Sequence, residues 1–245
     1  MRKRLDVVLV ERGLVPSRSR ARDLIKYGKV LVDRQVCTKA GAEVGAQQML
    51  TLEPASVGGV SRGGAKLAAA LDAFGFKPKG RIALDVGAST GGFTEVLLER
   101  GAAKVYAVDV GHGQLHTRLK ADPRVVSMEE CDARSLTREL IPEPVGAIVA
   151  DVSFISLAKA LPAPLELAAP GAWLVALVKP QFEAGRARIG KRGIVRDERA
   201  RQAAVEEVRA WLAAQENWRV VGIVPSPIRG GSGNEEFLMG ARKDG

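Results

Sequence analysis

Four apolar runs of this 245-residue chain stop at a charge: RIALDVG carries Asp85, KVYAVDV Asp109, GAIVADV Asp151 and AWLVALVK Lys179. A purely structural sheet has no use for that pattern. In open α/β sheets, ligands bind beyond the carboxyl ends of the strands where strand order reverses, so these four ends are expected to converge on a site. The first run enters the loop DVGASTGGFT, Asp85 to Thr94. Its glycines Gly87, Gly91 and Gly92 permit a tight turn and close approach of backbone to a ligand. Ser89, Thr90 and Phe93 lie among them and are read with them as cofactor-binding positions. Asp109 follows where an acid can accept hydrogen bonds from ribose hydroxyls. Asp132, in the segment CDAR, is a candidate acceptor for an adenine amino group and is expected to end the third strand. A dinucleotide or S-adenosylmethionine could use this much. The loop does not match G-x-G-x-x-G, and Asp85 at its mouth would repel a pyrophosphate but suit a cationic sulfonium. The expected cofactor is S-adenosylmethionine.

The elements around these ends alternate between strand and helix patterns. A helix is expected from Ser61 (SRGGAKLAAALDAFG), closing on Gly75, and another over GGFTEVLLERG. GAIVADVSF and AWLVALVK are near-continuous apolar runs, as central parallel strands covered on both faces require. SLAKALPAPLELAAPG supplies the crossover between them. DERARQAAVEEVRAWLAAQE carries Ala204, Val208 and Leu212 along one stripe. WRVVGIVPS and EFLMGARK are expected to close the sheet as a terminal pair. The fold class is α/β: a doubly wound, Rossmann-like methyltransferase sheet with a small N-terminal α+β domain. Trp173, Trp211 and Trp218 fall on strand or helix positions and are expected in the core.

The formal net charge is +9, which calls for a polyanionic partner. Basic residues crowd the N-terminus, among them Arg4, Arg18, Arg20, Arg22, Lys26 and Lys29. Leu5, Val8, Leu9 and Val10 followed by Gly13 predict a first helix. Ser17 is positioned to cap a second over SRSRARDLIKYG, with Ala21, Leu24 and Ile25 on its apolar face and a basic face left free. KVLVDRQ and QMLTLE each alternate as a strand. The joint PASVGGV separates residues 1–58 from residues 59–245. A second basic stretch, GRARIGKRGIVRDE, follows Lys179 and is expected to bring Arg186, Arg188, Lys191, Arg192 and Arg196 near phosphates.

The segment LDVVLVERGLVPSRSRARDLIKYGKVLVDRQ closely resembles the RNA-binding module named after small-subunit ribosomal protein four, which implies phosphate contacts to a structured RNA. SRGGAKL with Lys66, ADVSF with Asp151, LVKPQFE with Lys179 and SGNEEF with Glu236 together resemble the Lys-Asp-Lys-Glu tetrad of ribose 2′-O-methyltransferases. Essentially the whole chain is similar to the TlyA, or hemolysin-A-like, family of ribosomal RNA methyltransferases, whose catalytic domain is FtsJ-like. The resemblance implies ribosomal RNA or ribosomal subunits as partner and a cytidine 2′-hydroxyl as target. It implies Lys179 nearest that hydroxyl, Asp151 orienting it, and Lys66 and Glu236 holding the ribose and the second lysine. The motif Gly-Asn-x-Glu selects Glu236 over Glu235. Which lysine takes the proton is left open.

Other classes fare worse on the residues. Cys37 and Cys131 are far apart and form no disulfide or zinc pattern, so a reducing, cytoplasmic location is expected. His112 and His116 lack a third ligand and are read as structural or cofactor-flanking; no metal is expected. Asp6, Glu11 and Arg12 interrupt the N-terminal apolar stretch too early for a signal sequence, and no run is long enough to span a membrane. A non-catalytic ribosome-assembly factor is the competing reading, which the intact loop and tetrad argue against. A membrane-acting hemolysin is the third, and it lacks the apolar surface it would need.

Overall fold

The computed structural model describes residues 2–15, 18–26, 28, 30–52, 61, 63–183, 194–230 and 233–245, the side chains of Ser19, Arg20, Asp23 and Lys26 excepted. The chain divides into two compact units, Met1–Gly58 and Gly59–Gly245.

In the first unit β1 (Lys3–Arg4) runs into α1 (Leu5–Glu11), and α2 (Arg18–Lys26) follows. Leu5 and Leu9 of α1 and Ala21 and Ile25 of α2 repeat at helical spacing and are inaccessible to solvent. They share a core with Val30 of β2 (Val30–Val32), which pairs with β3 (Gln35–Val36), and with Val44 of β4 (Glu43–Val44) and Leu50 of β5 (Leu50–Leu52). KVLVDRQ is therefore a hairpin, not the single strand its alternation suggests. Asp33 and Arg34 both take left-handed φ, 50° and 68°, which is what a two-residue turn between twisted strands demands. The Asp33 carboxylate holds that turn by accepting from Met49 N at 2.9 Å and Gln48 Nε2 at 2.7 Å.

Two described residues of the basic face, Arg18 and Arg22, are anchored although their side chains stay about half exposed. Asp6 of α1 is wholly buried, and three guanidiniums converge on it: Arg4 Nε at 3.0 Å, Arg18 Nη2 at 3.1 Å and Arg22 Nε at 3.2 Å. The hydrogen bond from Arg4 above all, then those from Arg18 and Arg22, hold the Asp6 carboxyl well below the usual carboxylate range.

The second unit is built on one sheet. Its parallel strands are β6 (Ile82–Val86), β7 (Lys104–Val108), β8 (Val125–Met128), β9 (Val145–Ala150) and β10 (Ala168–Val178). β11 (Trp218–Pro225) and β12 (Phe237–Lys243) pair antiparallel, and β12 runs antiparallel to β10. The order across the sheet is β11-β12-β10-β9-β6-β7-β8. From β6 the chain moves outward to β8 and then returns across β6 to β9, so the strand order reverses between β6 and β9.

Alternation along each strand sends side chains to two cores. Leu84, Val86, Ile148 and Leu174 face α6 (Leu157–Ala160), α7 (Pro162–Glu166) and α9 (Glu198–Ala213), meeting Leu157, Leu165 and Val208. Ala83, Ala107, Val149 and Val175 face α3 (Gly63–Phe74) and α4 (Gly92–Glu99), meeting Leu67, Leu71 and Leu97. The expected crossover thus forms as two short helices, with Pro162 in the first turn of α7, where its missing N–H costs nothing. Trp173 is buried in the core of α3 and α4, and Trp218 is buried in the other core, where Trp211 packs from a partly buried position. The third strand stops earlier than expected, at Met128, and Asp132 instead caps a single 3₁₀ turn, Ala133–Ser135. Among the described residues no helix is long and apolar enough to cross a membrane.

The Asp6 cluster yields a prediction. Because its folded-state pKa is depressed, the carboxylate stabilises the first unit above the ordinary aspartate range and that contribution is lost as the pH falls through it. Asp6→Ala should lower amide hydrogen-exchange protection in α1 and α2 by about tenfold or more at neutral pH and leave the sheet of the second unit unchanged. Equal protection in α1 and α2 of the variant would overturn the assignment.

Candidate active site

The carboxyl edge of the sheet collects the charges. Val86 of β6 is in register with Ala150 of β9, Ala150 with Ala176 of β10, and Val178 of β10 with Phe237 of β12. Gly87, Asp151, Lys179 and Glu236 lie one step beyond those strand ends, on four neighbouring strands. Sequence positions about 150 residues apart become neighbours because the parallel strands end, and β12 begins, on the same side.

Two ion pairs form there. Lys179 Nζ lies 2.6 Å from Asp151 Oδ1 and donates to Ser153 Oγ at 2.8 Å. Lys66, in the second turn of α3, donates to Glu236 Oε2 at 2.5 Å. Lys66, Lys179 and Glu236 are buried, whereas the Asp151 side chain is a quarter exposed. The structure thus brings the four tetrad candidates to one edge as two pairs. Glu235 points elsewhere, to Arg229 and Arg201, at 3.1 and 3.3 Å.

The glycine loop is pressed against this edge. A Cβ on Gly87 (φ 84°) would sit 2.7 Å from the Asp151 carbonyl oxygen, and one on Gly91 (φ 97°) would sit 2.2 Å from Leu119 Cδ1. Neither position admits a side chain. Gly91 caps α4 and Gly92 opens it, packed beside Ser61 and Gly64. Ser89 is exposed with a left-handed φ of 48°, and its N–H donates to Asp109 Oδ2 at 2.8 Å. Asp109 Oδ1 accepts from Gly111 N at 2.7 Å, so this strand-end carboxylate already organises the loop on either side of it. The Thr90 carbonyl accepts from His116 N, and His116 Nδ1 in turn caps α5 (Thr117–Lys120) by accepting from Arg118 N. His112 is paired with Glu130 at the surface.

Several expected ligand contacts sit differently. Asp85 is not at the mouth of the loop: it shares the face of Ala83 and is wholly buried, accepting from Thr94 Oγ1 at 2.6 Å while its Oδ1 has no partner. Burial, with the nearby Asp151 and Asp109 charges adding to it, pushes its carboxyl up to about 7. Phe93 is buried in the apolar cluster of α3 and α4, so its side chain serves the core. Asp132 is engaged by its neighbour Arg134 through Nε at 3.0 Å and Nη2 at 2.6 Å, which holds its carboxyl low. Arg4, Arg18 and Arg22 sit on Asp6, as described. The side chains of Arg20 and Lys26, and residues Lys29, Arg186, Arg188, Lys191 and Arg192, lie outside the described residues. Among the described residues no group of three His, Cys, Asp or Glu side chains could hold a metal ion.

The structure adds residues that the sequence reading passed over. Ser153 holds Lys179. Phe154, next to it, is 87% exposed at a left-handed φ of 68°, its ring 5.0 Å from that of Phe182. An exposed aromatic in a backbone conformation that costs energy is held there by its surroundings. Both residues stand in the DVSFIS run beside Asp151, which was the available signal. Glu183, at the end of α8 (Pro180–Glu183), accepts from Leu157 N at 3.0 Å, and burial pushes its carboxyl up to about 7.

Comparison with known proteins shows the family. Residues 59–243 match the family profile of FtsJ-like methyltransferases, and residues 3–50 match that of the S4 domain. The 16S/23S rRNA (cytidine-2′-O)-methyltransferase TlyA of Mycobacterium tuberculosis is 48% identical over 98% of this chain and 90% of its own length. Hemolysin A of Brachyspira hyodysenteriae is 39% identical over 96% of this chain and 98% of its own. A solved structure from Streptococcus thermophilus covers 99% of this chain and 89% of its own at a TM-score of 0.76 and 41% identity. The O-methyltransferase TomG of Streptomyces achromogenes, solved with S-adenosylmethionine, shares the fold at a TM-score of 0.51 and 16% identity, covering 76% of this chain and 82% of its own.

Asp85 supplies the prediction for this site. Its folded-state pKa is raised above the unfolded value, so the native state keeps a proton that the unfolded state has lost. Stability therefore falls as the pH rises from about 4 to about 7 and levels off above. Glu183 contributes in the same direction. Thermal unfolding between pH 5 and pH 8 should show a shallower decline for Asp85→Asn than for the unsubstituted protein, and identical slopes would sink the prediction.

Proposed function

Because this chain belongs to the TlyA family of FtsJ-like methyltransferases, we propose that it transfers a methyl group from S-adenosylmethionine to a ribose 2′-hydroxyl of ribosomal RNA, at cytidine. The observation that carries the reading is the edge itself: Lys179 with Asp151 and Lys66 with Glu236 stand beside a glycine loop too tight for side chains. That loop fits an adenosyl cofactor. Gly87 and Gly91 let the loop fold tightly against Asp151 and Leu119, Asp109 stands at the next strand end, and the orphaned Oδ1 of Asp85 suits a cationic group. When bound, S-adenosylmethionine supplies an electrophilic methyl carbon on a positively charged sulfur.

The chain's residues supply position and proton handling. A ribose hydroxyl is a poor acid and must lose its proton as its oxygen attacks. Lys179 is assigned as the group nearest that oxygen. Once Nζ has passed a proton to solvent it would take the hydroxyl proton as the ribose oxygen accepts the methyl group, and so return to the ammonium that is paired with Asp151. The Asp151 carboxylate offsets that charge, and Ser153 fixes the direction of Nζ. Lys66, tethered by Glu236, keeps two further N–H groups for the ribose oxygens. Phe154 presents an exposed ring next to Ser153 on which a base turned out of its stack can rest. The first unit, an S4 domain, contributes phosphate contacts that position the RNA without reading sequence.

Incubation of unmodified ribosomal subunits and naked ribosomal RNA with the protein and S-adenosylmethionine, followed by nucleoside mass spectrometry, should yield 2′-O-methylcytidine. A methyl on a base would overturn the mechanism. Lys179→Ala should lower kcat by about 10²- to 10⁴-fold while cofactor affinity by calorimetry stays within error. Normal turnover in that variant would remove Lys179 from the reaction.

A further inference from the structure

A second basic feature lies on the other side of the chain segment that carries Glu236. A cavity of about 410 Å³ is lined by Arg196, Arg201, Arg229, Asn234 and Glu235, together with Ile194, Val195 and Gly233. Three arginines and one glutamate line it, and the glutamate is paired with Arg201 and Arg229. We propose that this cavity binds a backbone phosphate of the substrate RNA, close to the nucleotide whose ribose is methylated.

The cavity is built before any ligand arrives. One wall is the entry to α9, where Arg201 Nη1 donates to the carbonyls of Val195 and Arg196 at 3.3 and 2.9 Å and is thereby locked. The other wall is the turn before β12, closed by Gly230 N donating to the Asn234 carbonyl at 2.9 Å. Asn234 joins the walls, since its Oδ1 accepts from Val195 N at 3.1 Å and the residue is buried. Glu235 pairs with Arg229 and Arg201 and spreads their guanidiniums along the rim. Among the described residues Arg196 is exposed and has no carboxylate partner, and the Arg229 side chain is 69% exposed although paired. Planar guanidiniums held in this way match the oxygens of a phosphate.

Position selects the phosphate of an RNA strand over a free anion. Glu235 and Glu236 are consecutive, and their carboxylates go to different places: Glu236 to Lys66, Glu235 to the arginines. Gly230, which follows Arg229 in the cavity wall, lies against the Glu236 carboxylate, since a Cβ there would sit 2.2 Å from Oε1, so the cavity and the Lys66–Glu236 pair share one loop. This inference rests on the ribose-methylation reading for the word "substrate", while the phosphate contact itself is a claim about binding.

The test uses the full chain and an unmodified small-subunit ribosomal RNA transcript as probe. Affinity is measured by fluorescence anisotropy across a salt series for the unsubstituted protein, Arg196→Gln with Arg229→Gln, and Arg196→Lys with Arg229→Lys. Removing one phosphate contact should weaken binding about tenfold near 0.15 M salt and reduce the slope of log K against log salt by about one. The loss should appear in KM for RNA and not in S-adenosylmethionine affinity. The lysine pair should recover the slope but only part of the affinity, because it keeps charge without the planar fork. An unchanged slope and KM in the glutamine variant would refute the contact, as would weakened cofactor binding in both variants, which would mark the arginines as structural. If the slope changes as expected but no 2′-O-methyl nucleoside forms, the phosphate site stands and the ribose reading falls. If slope and KM are unchanged in the glutamine variant while 2′-O-methylcytidine still forms, the reverse holds.

Discussion

The close approach of Gly87 to the Asp151 carbonyl governs this enzyme's architecture. β6 and β9 are adjacent although they are separated in sequence by two other strands, and Asp151 N donates to the Val86 carbonyl at 2.9 Å as the ladder runs out. At that point the chain turns away from β6 through a residue with no room for a Cβ. The glycine loop and the strand end carrying Asp151 are thus in van der Waals contact by construction. Any side chain at Gly87 would push the two apart. The reversal of strand order creates the crevice, and the glycine keeps it narrow.

Two buried aspartates show how differently the chain treats the same group. Asp6 is surrounded by three arginines and stays ionised, so its burial is offset by charge-assisted hydrogen bonds. Asp85 has one hydroxyl partner and an orphaned oxygen, with two further carboxylates nearby, and is pushed toward the neutral form. In the first unit the cluster gives three basic side chains a fixed anchor, which suits a surface that must meet an RNA backbone in one register. In the second an unsatisfied carboxyl lies at the base of the glycine loop.

Much of the sheet was legible because parallel strands covered on both faces write themselves as apolar runs, and the charges that stop those runs mark its carboxyl edge. What escaped depended on contacts distant in sequence. The KVLVDRQ hairpin turns on Asp33, whose carboxylate is held by residues 15 and 16 positions away, and Asp-Arg is not a residue pair that announces such a turn. The anchoring of Arg18 and Arg22 was not legible because the anchor, Asp6, lies on another helix. Asp85 was misplaced for a simpler reason: the period of two in RIALDVG puts it on the buried face of Ala83, and that alternation could have been followed to its end. The Lys66–Glu236 contact spans 170 residues, so only resemblance to a family tetrad, and no spacing, could bring these two together in advance.

The two ion pairs at the edge are unequal, and the inequality bears on which lysine handles the proton. A buried pair whose partners are both enclosed is a rigid device, since separating them would strand a charge in a poor solvent. Lys66 and Glu236 are of this kind, with side-chain exposures of 11% and 3%. Lys179 is equally enclosed, but Asp151 is 25% exposed and shares the lysine with a hydroxyl. Charge appearing or disappearing on Nζ can there be met by water at Asp151 and by reorientation of Ser153, neither of which requires the backbone to move. On the proposed reaction, proton traffic is better accommodated at Lys179 and a fixed grip on the ribose at Lys66. The same logic gives each lysine its own carboxylate: one shared acid could not hold one ammonium rigidly while yielding to the other.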